Sequence, residues 1–148
     1  MAVKIGPELI QNLQQIEAVV AGPDDVNRLF IIDGQFDVTL TSISDAHLVS
    51  QKETFTVLVG PVFARQQFTR AIATASFTKT SFSVVPSNAG AFWQILGVDA
   101  DWDDESGQVE LRIEAQVTTR GGTPNTPTTA GIEGFTFHVT ILAAVPNA

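Results

Sequence analysis

The sequence predicts a mainly β protein, an antiparallel β-sandwich or open barrel carrying one N-terminal α-helix. Three observations lead there. From Phe36 to Ile141, segment after segment alternates apolar and polar residues with a period of two, the mark of strands with one buried and one wet face. No strand–helix–strand rhythm interrupts them, which excludes a parallel α/β architecture. The 148 residues, 44% hydrophobic and 16% charged, suffice for one core-bearing domain over 1–148 and are too apolar for a disordered chain.

The elements follow in order. A helix is expected over 7–21: Pro7 suits a first turn, Gly22 and Pro23 suit a stop, and Leu9, Leu13, Ile16 and Val20 recur at helical spacing. Its other face carries Gln11, Asn12, Gln14 and Gln15, amides that suit contact with another surface, either one end of the chain's own sheet, which the helix would cap, or a neighbour, for which Leu13 and Ile16 are the candidate interaction residues. The β-sandwich is expected over 28–143. Phe36, Val38 and Leu40 alternate with polar residues, as do Phe55, Val57 and Val59. Ala71, Ala73, Ala75 and Phe77 share a face, and Phe82 and Val84 follow before Pro86. Val109, Leu111, Ile113, Ala115 and Val117 interleave with charged and polar residues, and Phe135, Phe137, Val139 and Ile141 close the series.

Residues 92–118 read as one long hairpin turning at Asp103–Gly107, where the glycine supplies a left-handed conformation. Residues 119–134 read as a Gly-, Pro- and Thr-rich loop without apolar period. Its polarity without charge fits two readings, docking on a protein or sugar surface through Thr123, Asn125 and Thr126, or a disordered flap.

Composition narrows the function. With 8 Lys+Arg against 16 Asp+Glu, the net charge is −8, so no cationic stripe for a nucleic acid can be assembled. No apolar window is long enough to span a membrane, and no signal peptide is read at the start. Cysteine is absent, which removes disulfides, thiolate metal sites and cysteine nucleophiles. His47 and His138 fall in a loop and on a polar strand face, and no nucleophile elbow, phosphate loop or zinc motif occurs, so no catalytic residue is assigned and a non-enzyme is expected.

The one concentrated feature is acidic. Asp99, Asp101, Asp103 and Glu110 match the ligand spacing of a calcium loop, although Asp104 stands where that loop needs glycine. The two readings are a calcium site on the turn and a hairpin tip kept soluble by charge. Trp93 and Trp102 are an odd number of residues apart, so a regular strand points them to opposite faces. Trp102 is then the exposed one, fit to stack on a sugar or pack on another subunit.

Ala75-Ser76-Phe77 with Phe82, then Gln94 to Asp99, Glu110 to Ala115, and Gly134-Phe135-Thr136 form an order of strands that resembles H-type lectin domains. The resemblance covers less than half of the chain. It implies a small oligomeric β-sandwich that binds N-acetylgalactosamine-like sugars. The chain departs from that family in having Thr140-Ile141-Leu142 after the Gly-Phe strand and in the insertion at 120–133, so no sugar-binding residue is transferred.

Together these readings lead to a structural or assembly protein: a self-associating β-sandwich subunit of a larger particle such as a phage tail, a capsid or a bacterial filament. Its expected partners are copies of itself or other assembly proteins. The alternative is a carbohydrate-binding, H-type lectin-like module for a glycan, with calcium as the assisting cation. No other cofactor is expected.

Overall fold

A computed structural model describes residues 2–21, 26–83 and 89–144. The described strands are β1 (Ala2–Ile5), β2 (Gln11–Ala21), β3 (Val26–Ser44), β4 (Val49–Val59), β5 (Phe68–Phe82), β6 (Gly90–Trp102), β7 (Val109–Arg120) and β8 (Thr128–Ala143). They form two four-stranded sheets, the first ordered β1-β4-β7-β6 and the second β2-β3-β8-β5. Every pairing is antiparallel except β1 with β4. The sheets do not close into a barrel. Mainly β with two layers is therefore what the alternating segments encode.

The expected helix over 7–21 is absent. Pro7 does begin a helical turn, but it is a single 3-10 turn, Pro7–Leu9, that ends in extended backbone at Ile10. Gln11–Ala21 is strand β2, an edge strand hydrogen-bonded to β3 alone. The cause of the misreading is physical. A strand shows period two only where one face is buried, and Gln11 to Val20 are exposed on both faces. With no burial to impose alternation, the spacing of Leu13, Ile16 and Val20 imitates a helix, while the β-branched Ile16, Val19 and Val20 favour the strand. The helix stop read at Gly22 and Pro23, and the residues Val84 and Pro86, lie outside the described residues.

The core sits between the sheets. Val109, Leu111, Ile113, Ala115 and Val117 of β7 are fully buried, facing Ile32 and Phe36 of β3 and Phe135, Val139 and Ile141 of β8. Phe135 is the hub: its ring centroid lies 5.7 Å from Phe36, 5.5 Å from Phe55 and 5.6 Å from Phe77. The tilted geometry of these pairs is what aromatic quadrupoles prefer.

The two sides of the sandwich differ. Edge strands β5 and β6 come together: Phe82 meets Trp93 edge to face at 6.0 Å, and the Trp93 indole N–H donates to the Gly131 carbonyl at 3.0 Å. On the other side, β2 extends beyond short β1, and its inner-facing Gln15 and Glu17, opposite Ile32 and Phe30, remain exposed.

The hairpin expected over 92–118 is present as β6 and β7. Its strands are not regular, however. A register shift between Ile95 and Gly97 inserts a bulge in β6, so Ala91, Trp93 and Ile95 face inward and then Val98, Ala100 and Trp102 do. Both tryptophans therefore lie on the core side, which corrects the opposite-face reading. The loop expected over 119–134 shrinks to 121–127, because β7 continues to Arg120 and β8 starts at Thr128.

Candidate functional site

The acidic turn is braced by its own side chains. Asp103 Oδ2 accepts from the Ser106 amide at 2.9 Å and from the Ser106 hydroxyl at 2.6 Å. Those two bonds, the hydroxyl first, hold the Asp103 carboxyl below the usual aspartate range. Gly107, with φ of 74°, closes the turn by donating to the Asp103 carbonyl. Asp99 and Asp101 project from the outer face of β6, opposite Arg112 and Glu110. Among the described residues, no three His, Asp or Glu side chains gather closely enough to hold a metal ion. The four candidate ligands Asp99, Asp101, Asp103 and Glu110 are thus strung along a strand pair and a turn rather than converging.

Beside this turn lies a cleft of about 560 Å³, walled by the Pro7–Leu9 turn and by Asp103, Glu105 and Ser106, with Thr56 and Leu58 on its floor. Lys4 and Glu110 add charges of opposite sign. Trp102 is outside it. Its half-buried ring packs on the core and its indole N–H donates to the Phe63 carbonyl at 3.0 Å, so the ring closes this end of the sandwich.

The loop residues Thr123, Asn125 and Thr126 are exposed on a tight turn. Thr123 and Thr126 exchange backbone hydrogen bonds of 3.1 Å in both directions, and their hydroxyls lie 2.8 Å apart. A Gly122–Pro127 bridge shuts the base. Thr123 and Thr126 thus bond each other across the turn, with Asn125 exposed between them.

One arrangement has the form of catalytic machinery. On the outer face of the second sheet, His138 Nδ1 lies 2.6 Å from Asp33 Oδ1, and His138 Nε2 lies 2.9 Å from Thr140 Oγ1. A hydroxyl, an imidazole and a carboxylate in that order are the parts of an acyl-transfer triad. Two further parts are missing from this setting. β3 and β8 are both paired on each side, so their backbone N–H groups are engaged in the ladders and cannot form an oxyanion hole. The neighbouring hollow is a shallow 250 Å³ dent lined by Asp33, Thr74, Ser76, Thr136 and His138. His47 is exposed in the β3–β4 loop, far along the chain from this trio.

The outer faces of the two sheets differ in chemistry. The first sheet presents Glu110, Arg112, Glu114 and Gln116 along β7, with a Lys52–Glu114 pair at 3.9 Å, and exposes Leu58 on β4 and Phe92 and Leu96 on β6. The second sheet carries an apolar band at one end. Ile16, Ile31, Thr140 and Ile72 stand in one row across β2, β3, β8 and β5, and Ala18, Leu29, Leu142 and Arg70 stand in the next, which ends on a cation. Ile16 is 62% exposed and Ile72 55%. Of the sequence candidates, Ile16 belongs to this band, whereas Leu13 (54% exposed) falls in the irregular start of β2 between Gln11 and Gln14. Leu29, Ile31, Ile72 and Leu142 were not singled out by sequence. The continuous run Leu29-Phe30-Ile31-Ile32 carries the signal, since a strand apolar on both faces has something to bury on each.

Comparison of the chain with protein-family models, with curated proteins and with solved structures finds no match.

Proposed function

We propose that this chain is a non-enzymatic structural protein, a β-sandwich subunit that associates with copies of itself in a larger assembly of the kind that builds phage tails, capsids or bacterial filaments. The observation that carries the reading is the apolar band on the outer face of the second sheet. Soluble monomers keep contiguous exposed apolar surface small, and bands of this kind occur at sites where proteins meet. Here Ile16, Ile31, Ile72, Leu29 and Leu142 lie side by side on a rigid, four-stranded platform. The first sheet's outer face mixes charged residues along β7 with the exposed Leu58, Phe92 and Leu96, which form no row comparable to Ile16 and Ile31.

The alternative of a glycan-binding module has weaker support. Trp102 has its indole N–H bonded within the fold, and the acidic residues do not converge on a cation position. Acyl transfer through Thr140, His138 and Asp33 would need oxyanion donors beside Thr140, and the ladders of β3 and β8 use the nearby backbone N–H groups.

Light scattering on the purified chain at tens of micromolar, with negative-stain images of the same sample, tests the proposal. A mass at or above twice 15.8 kDa is expected. A monodisperse species of 15.8 kDa at all concentrations would remove it.

A further inference from the structure

We infer that two copies of this chain join edge to edge through β2, pairing antiparallel about a two-fold axis at Ile16, so that their second sheets merge into one continuous eight-stranded sheet. The inference rests on the self-association proposed above and names its interface.

A comparison of the four sheet edges points to β2. Exposed edges invite pairing with other chains, and proteins blunt them with short strands, charges, prolines and bulges. β1 has only four residues, includes Lys4 and is followed by Pro7. β5 carries Arg70 and Lys79 and three register irregularities. β6 carries Asp99, Asp101 and the Ile95–Gly97 bulge, and it leans against β5. β2 has eleven residues with no Lys, Arg or Pro. Its irregularity is confined to the start, where Asn12 has φ of 52°, and Gln14 to Ala21 pair regularly with β3. Its sole charge, Glu17, is bound by Arg28 of the same chain. Three edges are guarded and one is not.

The side-chain pattern of β2 selects a second copy as occupant. With the axis at Ile16, the isoleucine meets Ile16 of the partner subunit. Gln15 meets Glu17 of the partner subunit, an amide donor against a carboxylate, twice by symmetry. Gln14 meets Ala18, and Val19 comes opposite Leu13. In this register Ile16, Leu13 and Val19 face apolar residues, Val20 comes opposite Asn12 at the irregular start of the strand, and the only ionised group faces a donor. Moving the axis one residue to Glu17 sets two carboxylates against each other, and moving it to Gln15 sets Leu13 against Glu17; like charges or a buried charge on apolar surface both oppose pairing. The same register carries the Ile16–Ile31–Ile72 row of one copy into that of the other, so the apolar bands become continuous.

Directly opposed residues of antiparallel strands have Cα atoms roughly 4.5–5.5 Å apart, within disulfide range. The chain has no cysteine, so a single introduced one reports without background. Ile16→Cys is expected to form a disulfide-linked dimer under mild oxidation, and Thr74→Cys, exposed on the same face but on β5, is expected to remain unlinked. Ile16→Lys places two ammonium groups at the axis and is expected to shift the light-scattering mass from at least dimer to 15.8 kDa while keeping the β-sheet circular dichroism of the natural chain. If the natural chain associates but Ile16→Cys fails to link, or folded Ile16→Lys keeps its mass, the β2 interface is overturned and self-association survives by another surface. A natural chain that is monomeric throughout overturns both. Should Ile16→Lys lose its sheet signal, the trapping experiment decides alone.

Discussion

Ile16 and Ile31 stand directly opposite each other across β2 and β3, on the outer face of the second sheet, with Ile16 62% exposed. An isoleucine pair on an outer face adds little to a monomer's core. It makes sense where another surface covers it, and the account of this protein as an assembling subunit grows from that position.

Salt is the first prediction. Each copy carries a net charge of −8, so approach of two copies is opposed by long-range repulsion, while the β2 edge and the apolar band are nearly free of charge. Shortening the Debye length from about 30 Å to about 3 Å removes the repulsion and leaves the contact. Association therefore tightens as sodium chloride rises, measured by sedimentation at several salt concentrations. Weakening by salt would place ion pairs at the interface instead.

Phe135 holds the sandwich together. Its ring is fully buried among Phe36, Phe55 and Phe77. Phe135→Ala is expected to destabilise the fold by about 3–5 kcal/mol in urea unfolding, through lost transfer energy and the cavity left behind. A loss under about 1 kcal/mol would show that the aromatic cluster is not the packing centre.

Two glycines give a contrast. Gly122 has φ of 92°, and a Cβ there would lie 2.7 Å from the Thr128 amide nitrogen. Gly97, at the β6 bulge, has open space around it. Gly122→Ala is expected to cost at least about 1–2 kcal/mol, from the left-handed backbone alone. Gly97→Ala is expected to stay within about 0.5 kcal/mol of the natural chain. Equal effects would contradict the turn geometry of residues 121–127.

The acidic turn has a pH signature. Ser106 lowers the Asp103 carboxyl by hydrogen-bonding its ionised form. The turn is thus fully braced above the unfolded aspartate value of about 3.9, and the brace is lost as pH falls through the lower folded value. Carboxyl NMR is expected to show Asp103 titrating below ordinary aspartates, moving up in Ser106→Ala, which keeps only the backbone amide bond. An unchanged midpoint in that variant would mean the hydroxyl is not the partner.

What the sequence made legible follows burial. Val109 to Val117 and Phe135 to Ile141 lie in central strands with one dry face, so their alternation was plain, and the hairpin of β6 and β7 with its turn at Gly107 followed. β2 was misread because neither of its faces is buried. The tryptophan reading failed at one residue, the bulge after Ile95, which period-two reasoning cannot see. The loop was overestimated because Thr128, Thr129, Gly131 and Gly134 look like turn residues, whereas β8 tolerates them in a strand flanked on both sides. For the proposed interaction surface, Leu13 and Ile16 were candidates through their amide neighbours although the element was wrong, and of the two only Ile16 falls in the apolar row. Ile31, Ile72 and Leu142 come beside it only through the register of β3, β8 and β5.

Whether the chain self-associates is decided by sedimentation velocity of the natural protein in moderate salt, from low to high micromolar. The account predicts a boundary that shifts with concentration toward a mass of at least twice 15.8 kDa. A single concentration-independent boundary at 15.8 kDa would contradict it.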